Sequence, residues 1–384
     1  MLSVFRRIYN SIALLPSGIA LFFALLAIAM IWLPLESSNL PEFLKGLEVT
    51  GKSDVQFILA FIIGGIFTLT IFSYTMVMNV LNRSINNYSP RLIPLILSER
   101  NHQLILGFTS GTIIYSMILS IVVACDNTTV FPPLAAGLGV FMSIFCVFLF
   151  IYFIHSVSQS IHINYILKKS FDRSTRNLSE LTELKKLGRF KEKPADLETW
   201  EVIKNSDCGY LQLLEIESLA QKAADAETDI WIDPIPGTFI FEDDILIRTS
   251  KALKQNWKKM DKQVSVDSRV PLELNETEIK HLVEVAVKAS SPAINDPGTS
   301  LASIEYITQL IMNRAKVDLF NSYTINNKNY VYIPVISNED LTYWCFVEMW
   351  NYMKADPILV PALKNSLQKI EGAGVDTSTI ILQP

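Results

Sequence analysis

Four long apolar runs occupy the first 165 residues of this 384-residue chain, and they restrict its fold more than any other feature. Each run is long enough to cross a lipid bilayer as a helix, which requires about 20 predominantly apolar residues. Because a membrane-spanning backbone must satisfy its own hydrogen bonds, we expect an α-helical bundle. The predicted spans cover about 11–35, 55–81, 103–125 and 134–161.

Basic residues beside these runs predict the orientation of the chain, because Lys and Arg concentrate in cytoplasmic loops. Segments 36–54 and 126–133 contain few or no basic residues, whereas the other flanks contain many. The basic residues on those other flanks are Arg6, Arg7, Arg83, Arg91, Arg100, Lys168, Lys169, Arg173 and Arg176. Both termini are therefore expected in the cytoplasm. The first run is too long for a signal peptide core, so we interpret it as a retained span.

The composition becomes charged and mixed after the fourth run, as in an ordinary soluble domain. The sequence therefore predicts a transmembrane domain over 1–165, a helical linker over 166–198 and a cytoplasmic α/β domain over 199–384. The four cysteines are scattered, which disfavours both a disulfide framework and a cysteine metal site. Basic residues interleaved with aromatic ones are missing, so nucleic acid is not an expected partner.

A small β unit is predicted inside the cytoplasmic domain, because apolar residues alternate between 230 and 247. Within it, the stretch "PGTFIFEDDILI" (236–247) predicts a β-hairpin that follows a Pro-Gly turn.

A helix–corner–helix is predicted further along, where "KASSPAINDPGTSLASI" (288–304) interrupts two amphipathic segments. The first helix is expected to start at Asn275, with Glu278 completing a capping box. The second is expected to be capped by Asp296.

The corner motif consists of Ser291, Pro292, Asn295, Asp296 and Pro297. Proline at the first position of a helix is favourable, so the motif is interpreted as structural capping. The alternative is an anion or partner site at the helix N-terminus, and Asn295 is then the residue to test.

Several stretches occur in an order typical of one protein family. They are "NRSINNYSPRLIPLILSERNHQLILGFTSGTIIY", "FIHSVSQSIHINYI", "CGYLQLLEIESLAQKA", "PGTFIFEDDILI" and "SSPAINDPGTS". Together they resemble the bacterial predicted-membrane-protein family known as domain-of-unknown-function family 2254. The most distinctive element is Ser-Pro-x-Ile-Asn-Asp-Pro at 291–297. The resemblance covers nearly the whole chain and implies a protein of the bacterial inner (cytoplasmic) membrane, but it implies no activity.

A polar stripe runs along one face of the second span. Its members are Gly65, Thr68, Thr75, Asn79, Asn82 and Asn86. An Asn side chain that faces hydrocarbon has unpaired donors and acceptors, so the stripe is expected to face protein or water. If copies of this helix surround an axis, the stripe lines a pore. Hydrogen bonding and close packing between helices is the alternative.

A second polar cluster, His155, Gln159 and His162, is predicted on one face at the end of the fourth span. Two His residues could contribute to a metal site or a proton relay, although zinc requires about four ligands. The alternative is an ordinary polar segment where the helix leaves the membrane. The sequence contains no recognisable nucleophile–base arrangement or phosphate-binding loop, so we predict no catalytic residues, cofactor or metal and no enzyme.

The leading hypothesis from the sequence is a homo-oligomeric, ion channel-like or ion-regulating assembly. The second span would line its path, and the cytoplasmic domain would gate or assemble it. The lipid bilayer, further copies of the chain and ions are then its partners. The alternative hypothesis is a membrane-anchored sensor or scaffold whose cytoplasmic domain binds a ligand or another protein.

Overall fold

A computed structural model describes residues 13–32, 51–87, 100–124, 133–160, 162–213, 215–251, 263–268, 270–271 and 274–380 of the chain. The chain divides into two compact units. The membrane unit consists of Met1–Asn86 and Pro90–His162, and the C-terminal unit consists of Asn87–Ser89 and Ile163–Pro384.

Four helices of the membrane unit are long and apolar enough to cross a membrane, which confirms the four predicted spans. They are α1 (Leu14–Trp32), α2 (Lys52–Asn87), α3 (Arg100–Ala124) and α4 (Pro133–Ser160). Helix α2 extends beyond the predicted span at both ends. Its extra turns carry polar and charged residues, which lengthen a helix without adding to the apolar run.

Helix α3 lies at the centre of the membrane unit. Half of the apolar stretch of α3 is buried inside the protein, compared with 11% of the apolar stretch of α1. Gly107 and Gly111 allow α1 to approach closely, since a Cβ atom on Gly111 would lie 2.9 Å from Cγ of Phe23. One turn after Gly111, Tyr115 donates a 2.8 Å hydrogen bond to the carbonyl oxygen of Ala135 in α4. These contacts hold α1, α3 and α4 together.

The C-terminal unit combines helices with short strands, as the predicted α/β class requires. Its helices are α5 (Ile163–Glu183), α6 (Ile216–Asp225), α7 (Asn275–Ala289), α8 (Pro297–Arg314), α9 (Asn338–Met353) and α10 (Leu359–Gly372). Its strands are β1 (Gly188–Arg189), β2 (Glu201–Lys204), β3 (Gly209–Leu213), β4 (Ile230–Ile232), β5 (Phe239–Ile240), β6 (Ile245–Thr249), β7 (Val264–Asp267), β8 (Ser322–Tyr323) and β9 (Val331–Tyr332).

The strands form two sheets. One has the order β1-β8-β9-β4-β6-β2, with β4 and β9 parallel and the other neighbours antiparallel. The other sheet has the order β5-β3-β7. The hairpin predicted over 236–247 is therefore wrong: β5 pairs with β3, while β6 pairs with β2 and β4 in the other sheet. The turn between β5 and β6 directs the chain from one sheet to the other.

A hydrophobic core lies between α6 and the strands. Its fully buried members include Leu211, Leu219, Ala220, Ala223, Ile230, Ile232, Ile247 and Val331. The alternating residues of β4 supply two of these side chains, because successive strand residues point to opposite faces.

Residues 166–198, which the sequence assigns to a linker, are integrated into the C-terminal unit. Helix α5 packs against α7 and α8, and β1 is the edge strand of the larger sheet. One face of α5 is buried, including Ile166, Leu167 and Leu178. The helix is therefore fixed by tertiary packing rather than by its own propensity.

Candidate functional site

The polar stripe of α2 lies on the outer surface of the protomer. Gly65, Thr68, Thr75, Asn79 and Asn82 are exposed, and the side chain of Asn86 lies outside the described part of the chain. The buried residues of α2 lie on the opposite side of the helix and pack towards the other spans. They are Val55, Leu59, Ile62, Ile66 and Val80. The described part of the protomer therefore does not cover the stripe.

The two hydroxyl groups of the stripe have partners on their own helix. Thr68 donates to the carbonyl oxygen of Gly64 at 2.8 Å, and Thr75 donates to that of Ile71 at 2.9 Å. Such bonds to the preceding turn satisfy the hydroxyl hydrogen. The sequence interpretation missed these bonds, which reduce the cost of exposing the threonines. Compared with these threonines, the side-chain amides of Asn79 and Asn82 are therefore the groups on this face that are more costly to expose to hydrocarbon.

Small and aromatic residues share the exposed face of α2. A Cβ atom added to Gly64 or Gly65 would meet nothing within 4 Å, so the surface there is open. Phe61 and Phe72 are 75% and 56% exposed beside the polar residues. The exposed face of α2 therefore carries small and polar residues next to bulky apolar side chains.

His155, Gln159 and His162 do not form a single helical face. His155 and Gln159 are exposed in the last turns of α4, but the helix ends at Ser160 and His162 lies beyond it. The described residues include no group of three or more His, Cys, Asp or Glu side chains that could hold a metal ion. Nearby, His102 in α3 lies 3.2 Å from the hydroxyl of Ser156 in α4, which joins the two helices.

The corner motif 291–297 is built by local hydrogen bonds. Asp296 accepts bonds from the backbone N–H of Thr299 at 3.1 Å and from its hydroxyl at 2.6 Å, which confirms Asp296 as the N-cap of α8. Asn295 is exposed and has a φ of 49°, a left-handed conformation that Asn tolerates better than most residues. Ser300 donates to the carbonyl oxygen of Ala286 at 3.0 Å, which fastens α8 to α7. The motif thus forms a rigid corner.

The capping box predicted at Asn275 and Glu278 is wrong. Leu274 occupies the N-cap position of α7 and makes no side-chain cap bond. The carboxamide nitrogen of Asn275 instead donates to Ser174 Oγ in α5 at 2.7 Å. Glu278 pairs with Arg173 Nη1 at 3.3 Å and is only 1% exposed. Both side chains therefore join α7 to α5 rather than capping α7.

His281 and Glu278 lie next to each other in this buried interface. The His281 Nδ1 atom is 3.6 Å from Glu278 Oε2, and both side chains are at most 5% exposed. Together with Arg173 they form a polar cluster between helices, which the sequence interpretation missed. The one-turn spacing of Glu278 and His281 indicates that these two side chains are neighbours. Arg173, the ion-pair partner of Glu278, lies 105 positions earlier in the chain and has no local sequence signal.

A second buried charge, Arg314, ends α8. Its side chain is 0% exposed, and its Nη2 atom lies 2.7 Å from Glu276 Oε1 and 2.7 Å from the carbonyl oxygen of Ile336. It also donates to the side chain of Asn338. Arg314 therefore joins the start of α7, the end of α8 and the start of α9.

A cavity of about 1030 Å³ opens in the C-terminal unit. Its walls come from α5, the start of α6, the segments before α7 and the segment that follows α8. Apolar lining residues include Leu184, Leu187, Ile216, Phe320, Tyr323 and Ile333. Six acidic residues also line it: Glu180, Glu183, Glu215, Glu217, Glu276 and Asp318. Residues so far apart in the chain give no local sequence signal, which is why the sequence interpretation missed the cavity.

Comparison with known proteins agrees with the resemblance found in the sequence. A family model described as "Predicted membrane protein (DUF2254)" matches residues 9–369. No curated protein and no solved structure matches the chain significantly. Because the family model covers almost the entire chain, with its four membrane-crossing helices and its α/β unit, the protein belongs to the DUF2254 family of predicted membrane proteins.

Proposed function

We propose that this protein is a homo-oligomeric, ion channel-like assembly in which copies of α2 meet through their polar faces. The observation that carries the proposal is the exposure of Asn79 and Asn82 on the surface of the protomer. Asn79 lies at the end of the candidate span Lys52–Val80, and Asn82 lies just beyond it. Carboxamide groups that face hydrocarbon are costly, and neighbouring copies or water would satisfy them.

The open glycine surface favours close approach of a second helix. Small residues on a membrane helix allow backbones to pack tightly, and Gly64 and Gly65 have free space above them. Phe61 and Phe72 on the same face would form apolar rings in an assembly around an axis. Such rings can close a pore by excluding water. The C-terminal unit would assemble or gate the path.

We further propose that the assembly lies in the bacterial inner membrane with both termini in the cytoplasm. The distribution of Arg and Lys beside the spans supports this orientation.

Flux through liposomes tests ion conduction with closely matched variants. Asn79→Leu together with Asn82→Leu should abolish a cation or anion flux that the unmodified protein supports. Thr68→Val with Thr75→Val should reduce that flux several-fold. Thr70→Val is the control, because Thr70 is half-buried off the stripe and makes the same bond to its own helix, at 2.8 Å.

Two results would count against conduction. The first is no flux of any small ion by the unmodified protein in liposomes. The second is a monomeric mass in nanodiscs, since a lone α2 cannot surround an axis. Equal effects of Thr70→Val and of the stripe variants would show that the threonines act on helix stability alone.

A second candidate function is a membrane-anchored sensor, and the cavity in the C-terminal unit favours it. Its volume of about 1030 Å³ is just above the range of small-molecule sites, which is roughly 300–1,000 Å³. A thermal-shift screen of chemically diverse small molecules tests this function. Compounds that bind the cavity should raise the Tm of the unmodified protein more than that of Ser218→Trp, because the larger side chain narrows the cavity. If no compound separates the two proteins, the sensor function is rejected.

A further inference from the structure

The charges around the cavity are strongly unbalanced. Six carboxylates line it, whereas Lys186 is the sole basic residue among the described lining residues. Two of the carboxylates are neutralised by ion pairs: Glu276 with Arg314 at 2.7 Å, and Asp318 with Lys185 at 3.0 Å. The remaining four, Glu180, Glu183, Glu215 and Glu217, are exposed at the cavity and form no ion pair within the described ranges.

The four remaining carboxylates come from two helices that line the cavity. Glu180 and Glu183 belong to the last turns of α5, while Glu215 and Glu217 flank the start of α6. Like charges that line one cavity raise the negative potential inside it, and a partly enclosed cavity concentrates that potential. A cation placed there would be attracted by the carboxylates of both helices.

The interior of the cavity is apolar. Leu184, Leu187 and Ile216 are half-buried and pack against the core of the unit, as does Phe320. An inorganic cation would gain nothing from this surface, whereas an organic group would remove it from water. Gln221 and Ser218 also line the cavity, where Gln221 donates to Asp225 and Ser218 accepts from Gln263.

We propose that the cavity binds a small organic cation with an apolar body, such as an aromatic or branched ammonium compound. The apolar part would contact the interior, and the positive group would lie between the carboxylates of α5 and α6. This inference deepens the sensor function and rests on it, but it is independent of ion conduction.

Binding of ethidium, an aromatic cation, to the full-length protein in zwitterionic nanodiscs provides the test. We expect saturable binding of one ethidium per chain, measured by fluorescence after subtraction of empty nanodiscs. Glu215→Gln with Glu217→Gln should weaken this binding by about tenfold or more. The matched control, Glu305→Gln with Glu371→Gln, removes the same charge from exposed positions outside the cavity and should leave binding unchanged.

Competition identifies the ligand class. Phenethylammonium should displace ethidium, whereas phenylacetate, with the same ring and the opposite charge, should not. Added salt should weaken binding, because it screens the carboxylates. Each of three results would overturn the proposal: no saturable binding, equal loss in the control variant, or equal displacement by phenylacetate. If the thermal-shift screen finds other cavity ligands while ethidium fails, the cation proposal alone is overturned and the sensor function stands.

Discussion

Arg314 shows how a charged side chain is accommodated inside the C-terminal unit. It is the largest of the fully buried side chains, and its guanidinium group reaches Glu276, Asn338 and the backbone of Ile336. A buried charge is tolerated when it is paired and hydrogen-bonded, and arginine offers several donors in a fixed plane. Three helix ends that are distant in sequence are joined by this one residue.

Arg314→Leu should lower the free energy of unfolding of the C-terminal unit by about 3–5 kcal/mol, because Glu276 and the Ile336 carbonyl lose their partner. Denaturant unfolding followed by tryptophan fluorescence measures the change. Arg176→Leu is the control, since Arg176 is exposed on α5. A loss below 1 kcal/mol for Arg314→Leu would show that these bonds contribute little.

At the scale of single elements, the close packing of α3 against α1 depends on two glycines of α3. Gly107 and Gly111 have the spacing at which small residues let membrane helices pack closely, and both contact α1. A Cβ atom on Gly64 or Gly65 of α2 would have no neighbour within 4 Å among the residues that the structure describes. The first pair packs against α1, whereas the second pair would contact another copy of the chain in the proposed assembly.

Gly111→Val should destabilise the membrane unit by about 1–3 kcal/mol, because the new side chain collides with Phe23. Gly64→Val should leave the stability of the protomer unchanged but reduce the mass of the assembly. Thermal unfolding and native mass spectrometry in nanodiscs separate these effects. An unchanged oligomer with Gly64→Val would remove the glycine surface from the proposed interface.

For the whole molecule, Cys208 provides a test of orientation. It is exposed and free, whereas Cys146 and Cys345 are buried. In a variant in which Cys125 is replaced by Ser, a membrane-impermeant maleimide should label Cys208 in inverted vesicles and not in intact spheroplasts. Labelling only in spheroplasts would place the C-terminal unit outside the cytoplasm and reverse the proposed topology.

The C-terminal unit should lose stability at alkaline pH. Burial raises the pKa of Tyr323 and of Cys345 to about 12, from ordinary values of 10.0 and 9.0. A raised pKa in the folded state stabilises the fold below the unfolded pKa, and this stabilisation disappears as the pH rises through the folded pKa. The Tm should therefore fall between about pH 9 and 12. Tyr323→Phe should make this fall shallower, and identical slopes for the two proteins would exclude a contribution from Tyr323.

The sequence by itself determined the features that depend on short stretches of chain. Four apolar runs predicted the four spans, because the thickness of a bilayer sets the length of helix that crosses it. Asp296 was recognised as a cap because its partner, Thr299, is only three residues away.

Only the tertiary structure decided the features that depend on distant partners. Asn275 and Glu278 match a capping box locally, but hydrogen bonding and ion pairing with α5 outweigh it. The segment predicted as a linker forms a helix with one buried face and an edge strand, and the strands of the predicted hairpin joined different sheets. The acidic cavity exists because segments more than 100 residues apart meet around it. Long-range packing selects among the conformations that local sequence allows, and it is this packing that left the polar face of α2 uncovered.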